Sequence, residues 1–301
     1  MPADFPRLGD HDLPPFFHAA DQASQRAQSA TLRGNRLRLI GAVSAALGGS
    51  FSLATWNIDF WAILALAGFL VAMLSELFLM IGRSERLWYQ NRAAAESAKT
   101  LSWRYAVGAD PFFLSMSSDT VTALFRARIG QVAGQVADAM TMPSGDASGP
   151  TAAMERLRLQ PIEMRRATYL RDRTEMQRDW YSKKAKAARS ASTRLRLVLL
   201  SAELIAVILA AGRVFGNWPF DLANVLAAFV GAGAAWLGLK QYTTLATAYG
   251  LTAVELEKQI SVLKLASEDS WPSSVADAEE AISREHTMWL ASRGEVNERI
   301  G

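Results

Sequence analysis

Five residues at helical spacing, Trp88, Arg92, Glu96, Lys99 and Trp103, fall within about 80 degrees of one another on a wheel of 3.6 residues per turn. They make a stripe of two indoles with charges between them. Two chemistries are open to such a stripe. Rings can stack on a base while the cations meet phosphate, which makes a ligand-sensing face. The same groups can form a seam between helices, with Arg92 and Glu96 paired one turn apart and the indoles buried. No glycine-rich anion loop accompanies the stripe, which favours the seam. A second aromatic and basic group follows later: Gln177, Tyr181 and Lys184 share a face with Trp180 at its edge, and Glu285 and Trp289 stand one turn apart near the end.

Two carboxylates, Glu76 and Glu203, interrupt long apolar runs. An acid at mid-bilayer costs about 2.5–3.5 kcal/mol, less towards the interface, so something must offset it. Either they line a polar pore or form a paired gate, or each is shallow and snorkels or meets an arginine. Both lie in the half of the run expected to face the cytoplasm, which favours the second reading.

Other chemistry finds no residues. With no cysteine there is no thiol nucleophile, disulfide framework or cysteine-based metal site. His11, His18 and His286 are not at ligand spacing. There is no phosphate-binding Gly-x4-Gly-Lys-Ser/Thr, dinucleotide fingerprint, serine elbow or kinase set, so neither an enzyme nor a cofactor is expected.

The elements that position these residues are read from hydrophobic patterning. The phrase Arg-Leu-Arg-Leu occurs at Arg36–Leu39 and again at Arg194–Leu197, each time before a long apolar run. Each run is followed by a second after a short turn, so a unit of two membrane helices is written twice. The expected spans are Leu39–Thr55, Phe60–Gly82, Leu197–Phe215 and Leu222–Leu239. The turns between them carry Trp56-Asn57-Ile58-Asp59 and Gly216-Asn217-Trp218-Pro219, with tryptophan at headgroup level. Small residues recur every fourth position, as Gly41, Ala45 and Gly49 or Ala227, Gly231 and Ala235, which predicts tight helix contacts within or between subunits.

Arginine and lysine orient the hairpins. Arg33, Arg36, Arg38, Arg83 and Arg86 flank the first, and Lys183, Lys184, Lys186, Arg189, Arg194, Arg196 and Lys240 the second, whereas the turns offer Asp59 and Asp221 with Arg213 the exception. By the positive-inside rule both termini are cytoplasmic. Half of the 301 residues are apolar and the net charge is +3, carried by arginines beside the apolar runs, where anionic lipid holds them. Basicity of this kind does not point to nucleic acid. Met1 to Gln28 is polar with Pro14 and Pro15, so the first span is expected to act as an uncleaved insertion signal.

The expected fold is all-α and integral to the membrane, with four transmembrane helices as two repeated hairpins and long cytoplasmic helical extensions. Residues 1–30 form an N-terminal cytoplasmic segment, 31–115 the first repeat with its cytoplasmic helix, 116–151 a cytoplasmic helix and linker, and 152–301 the second repeat. A helix is expected from Asp119 to Thr141, capped by Ser118 or Asp119, before the Pro143–Pro150 linker. Ala152 to Arg196 is helical in composition apart from Pro161, which should break or kink it. Tyr242, Leu245, Tyr249, Leu256, Ile260 and Leu263 mark an apolar stripe on a later helix, and a last helix starts near Ser273 or Ser274.

Trp88-Tyr89, Arg92-Ala93, Ala95-Glu96-Ser97, Lys99, Trp103-Arg104-Tyr105 and Gly108-Ala109-Asp110-Pro111-Phe112 resemble one class of SLATT domain, the two-helix membrane effector domain associated with SMODS nucleotidyltransferases and SLOG sensors. Arg173, Gln177, Trp180-Tyr181, Lys183-Lys184-Ala185 and Glu285 to Trp289 resemble another class of the same family. The resemblance implies a prokaryotic conflict-system effector in the inner membrane, disrupting it by oligomeric pore formation after a nucleotide-type or infection signal. Its partners would be the lipid bilayer, further copies of the chain, and a nucleotide-type signal or sensor protein. A non-conducting scaffold that recruits cytoplasmic partners uses the same stripes and anchors. A solute transporter fits less well, because the spans lack the glycine or proline interruptions that build midplane sites.

Overall fold

The computed structural model describes residues 6–51, 54–55, 58–216 and 222–292. The turn residues Trp56, Asn57, Asn217, Trp218, Pro219 and Asp221 lie outside them, as do the side chains of Glu285 and Trp289.

Apart from one two-residue ladder the described chain is helical. A short 3-10 turn at Asp10–Asp12 precedes α1 (Pro15–Gly49). Ala54–Thr55 (β1) then pairs antiparallel with Ile58–Asp59 (β2), Ala54 opposite Asp59, and leads into α2 (Phe60–Gly82). The Asp59 carboxylate caps α2 by accepting from the Trp61 and Ala62 amides at 2.9 and 3.4 Å. Next come α3 (Ser84–Val107), α4 (Ser118–Gln135), α5 (Ala152–Arg158) and α6 (Ile162–Tyr169). A π-helical segment, Leu170–Glu175, joins α6 to α7 (Met176–Gly216), and α8 (Leu222–Lys240), α9 (Tyr242–Leu265) and α10 (Trp271–Ser292) complete the order.

Several boundaries differ from those expected. The cap of α4 is Ser117, whose side chain accepts from the Thr120 amide, and the helix ends at Gln135 rather than Thr141. The break expected at Pro161 is present: α5 closes at Arg158 and the proline stands as the N-cap of α6. The last helix begins at Trp271, slightly before the serines.

Repetition extends beyond the Arg-Leu-Arg-Leu phrase. Each of these positions recurs 158 residues later: Arg36 at Arg194, Gly82 at Lys240, Ser84 at Tyr242 and Val107 at Leu265. Between the second apolar helix and the helix that follows it, each repeat places one residue in the left-handed region, Arg83 at φ 43° and Gln241 at φ 46°. A side chain in that conformation costs about 1–2 kcal/mol, so both repeats accept strain at the same register to end one helix and start the next.

The chain divides into two compact units, each drawn from both repeats. Unit 1 comprises Met1–Ala27, Arg86–Ala185 and Thr247–Gly301. Its core is aromatic: Trp103, Tyr169 and Trp271 stack edge to face at 5.7 and 5.9 Å, while Tyr105, Phe112 and Phe125 form a second cluster at 5.0–5.8 Å. Trp271 donates its indole N–H to the Val107 carbonyl at 2.9 Å, so burial leaves no polar atom of that ring unsatisfied. Leu256, Ile260 and Leu263 of the predicted stripe are buried, none more than 2% exposed.

Unit 2 comprises Gln28–Glu85 and Lys186–Ala246. Here large apolar side chains face outward: Phe69 is 64% exposed, Ile81 69% and Val207 64%. Water would not tolerate so much apolar surface on four helices, whereas lipid does.

Candidate functional site

Three helical stretches are long and apolar enough to cross a membrane: Phe60–Gly82, Ile162–Gly216 and Leu222–Leu265. The expected first span, Leu39–Thr55, is not among them. The reason is local: α1 ends at Gly49, so a membrane-length window that reaches its apolar end takes in Arg33, Arg36 and Arg38.

That end of α1 nonetheless packs tightly on α2. A Cβ on Gly68 would lie 2.5 Å from the Ala45 nitrogen and 2.6 Å from the Gly41 carbonyl, and one on Gly48 would lie 2.4 Å from the Ala65 nitrogen. The contact row is therefore Gly41, Ala45 and Gly48. Gly49, expected to belong to it, meets nothing within 4 Å, because positions spaced 4 and 3 stay on one face of a helix better than two steps of 4. In the second repeat Gly231, also expected at a contact, is open, and Gly233 instead faces Leu199.

The two acids differ. Arg38 donates its Nη1 to Glu76 Oε2. Glu203 is exposed on α7 and has neither an ion pair nor a hydrogen bond among the described residues. On α8, the Trp236 ring has Arg36 and Lys240 each 5.3 Å from its centroid.

In unit 1 the first stripe lies against the N-terminal segment. Arg92 meets Glu96 at 2.6 Å and Asp21 at 3.7 Å, and Lys99 meets Asp10 at 2.6 Å with its ammonium 5.9 Å from the Phe17 ring centroid. Trp103 is buried, while Trp88 is half-buried with its ring 5.0 Å from that of Tyr89. These are contacts a helix seam makes. Tyr181 is buried with Leu256 and Ile282, and Trp180 is 38% exposed, its ring 5.7 Å from Tyr249 and its face under the Lys184 ammonium at 5.4 Å. Gln177 is half-buried.

At the centre of unit 1 stands an ion pair that spacing alone did not reveal. Arg173, 1% exposed, donates from Nε and Nη2 to the two oxygens of Glu279, 0% exposed, at 2.9 and 2.6 Å. Tyr169 donates to Glu279 Oε1 and Thr100 to Oε2, both at 2.9 Å, so the carboxylate has four donors. Burial opposes the charge on Arg173, but the field and hydrogen bonds of Glu279 outweigh it and raise the guanidinium pKa above its ordinary value. Burial, then Glu279, pushes the Tyr169 phenol well above its ordinary pKa.

The Gly108-Ala109-Asp110-Pro111-Phe112 motif also has a physical account. Gly108 turns the chain out of α3 at φ 70°, a conformation glycine adopts without strain. Arg158 then donates to the carbonyls of Tyr105, Phe112 and Phe113, each at 2.8 Å, and Arg165 to those of Val107 and Gln160. Burial lowers the pKa of both arginines. Beside this loop is a cleft of about 770 Å³, lined by Arg104, Arg165, Asp110, Glu268, Asp269, Asp277 and Glu280 among others. Its carboxylates outnumber its guanidiniums, and Arg104 and Arg165 are turned to main-chain oxygens. Such a field repels phosphate, so the cleft does not suit a nucleotide.

Exposed apolar helices in repeated pairs, joined to a polar helical unit, define a membrane protein. The comparisons specify which kind. Residues 14–166 match the family model of the SMODS and SLOG-associating 2TM effector domain 3, and residues 169–289 that of the SMODS and SLOG-associating 2TM effector domain 1. The chain belongs to this family and carries two of its domains in tandem. No curated protein and no solved structure matches it. The first match extends through α5 and into α6, so Arg158 and Arg165 lie in the same matched domain as the loop they hold.

Proposed function

We propose that the chain is the membrane effector of a prokaryotic conflict or anti-phage system, several copies of which assemble in the inner membrane and depolarise it after a signal. The observation that carries this reading is the tandem match to two 2TM effector domains. Two such domains call for four crossings. Three are supplied by α2, the end of α7 and α8; the fourth is the expected Leu39–Thr55 span, whose first part is the Leu39–Gly49 end of α1, held to α2 by the Gly41, Ala45 and Gly48 row. Arg33, Arg36 and Arg38 then mark its cytoplasmic rim, where anionic headgroups accept them. Both termini and unit 1 lie in the cytoplasm.

Four helices with glycine and alanine at their contacts leave no aqueous lumen within one chain, so conduction takes several chains around an axis. Inducing the gene in a bacterium and following a voltage-sensitive dye tests the reading: depolarisation before loss of viability is expected. Normal growth and unchanged potential, with and without phage challenge, would overturn it.

The Arg38–Glu76 pair gives a second reading specific support. With that acid neutralised, the chain could act as a membrane-anchored scaffold that recruits cytoplasmic partners and conducts nothing. It would then leave membrane potential untouched while still pulling down a partner.

A further inference from the structure

Within the bilayer assigned above, the two acids stand at the same depth. Glu76 precedes Gly82 by six residues and Glu203 follows Leu197 by six, about 9 Å along the helix axis at 1.5 Å per residue. Their surroundings part them. Glu76 has Arg38, whereas Glu203 is exposed and has no partner among the described residues.

The face of α7 that carries Glu203 is otherwise apolar. Leu200, Val207, Ala210 and Val214 project on the same side, three, four, seven and eleven residues from Glu203, and all are exposed. Arg196 ends the row one heptad before the acid, and Glu203 is the one ionisable residue between Leu197 and Gly212. An ionised carboxylate against hydrocarbon costs about 2.5–3.5 kcal/mol at mid-bilayer and less at this depth, a cost that water or a counter-charge at this face removes. The basic residue on the same face, Arg196, stands seven residues away, about 10 Å along the axis, and no ion pair joins the two among the described residues, so the chain itself supplies Glu203 with no counter-charge. Water is the remaining partner.

We infer that this face of α7 lines the conducting path, and that the Glu203 carboxylates, one from each chain, form the ring that admits cations and rejects anions. The inference rests on the pore reading and assigns its substrate class, small monovalent cations such as K⁺. Acidic rings select cations because a fixed negative field in a narrow, poorly solvated passage raises the local cation concentration. Glu76 takes no part, since Arg38 cancels its charge.

Purified full-length protein, reconstituted in planar bilayers under a tenfold KCl gradient, provides the test. The unaltered chain should show a reversal potential on the cation side. Glu203→Gln should move it towards zero, with a several-fold fall in the K⁺ to Cl⁻ permeability ratio, and Glu203→Asp should keep it. Because the chain has no cysteine, Glu203→Cys introduces a lone thiol. A cationic, water-soluble methanethiosulfonate should then block current through channels already conducting. Current with unchanged selectivity in Glu203→Gln, or a thiol the reagent never reaches, would overturn the inference and leave the pore standing. Absence of current from the unaltered chain, both alone and with extract of phage-challenged cells added to supply the signal, would instead bring down the pore reading itself.

Discussion

Arg173 and Glu279 hold opposite charges in a place that water does not reach, and that fixes how each responds to change. Removing one partner strands the other charge: Arg173→Ala should cost about 3–5 kcal/mol, read as a fall in the thermal midpoint of the detergent-solubilised protein. Replacing both, as Arg173→Met with Glu279→Leu, should cost much less, because no charge is then left buried. Tyr169 adds a pH dependence. Its folded pKa lies above the ordinary tyrosine value of about 10, so above that pH the unfolded chain loses the phenolic proton while the folded chain keeps it. Stability is therefore present in full below about pH 10 and lost as pH rises towards the folded value. Tyr169→Phe should be less stable at pH 8, by about 1–3 kcal/mol, and the gap to the unaltered protein should narrow above pH 10 in the same melting assay. Of this cluster Arg173 was legible through its family motif. Glu279 was not, since it stands 106 residues away on another helix and no periodicity links the two.

At the scale of elements, α1 and α2 approach until backbone touches backbone at Gly68 and Gly41. Gly68→Val should force them apart and destabilise the hairpin by about 1–3 kcal/mol, measured as a lower midpoint and faster proteolysis of membrane-inserted protein. Val at Gly231, which meets nothing within 4 Å of its own chain, should leave that midpoint unchanged. Hydropathy alone located α2, α8 and the C-terminal end of α7 to within a residue or two, because a lipid-facing helix is apolar all round and its ends are marked by charge. The small-residue row was read at the right helix with the wrong third member, since composition cannot tell Gly48 from Gly49 without the neighbouring helix. The extent of the first span stayed hidden for a related reason: the chain leaves helix at Gly49 and enters a short ladder whose pairing is not encoded in hydropathy. In unit 1, helical spacing grouped Trp88 with Trp103. The structure gives them different roles, one half-buried beside Tyr89 and one in the aromatic core, because a helix that packs on several neighbours buries more than one side.

For the whole molecule, the positive-inside reading predicts where the ends of the chain lie. A tag at either terminus should resist protease in intact spheroplasts and be cut after lysis, while a tag inserted at the Gly216 turn should be cut in both. Protease access to a terminal tag from outside would contradict the four-span topology. One consequence of the 158-residue recurrence bears on how such proteins diversify. Ala45 lies against Gly68, and the same register in the second half is Glu203. In a protein made of identical single hairpins one residue would have to serve both purposes, and a carboxylate cannot occupy the space that Ala45 fills. Gene fusion removes the conflict: one half keeps the tight joint and the other is free to carry charge. An assembly of n such chains then presents n unpaired acidic groups at that level, half the number its hairpins would suggest.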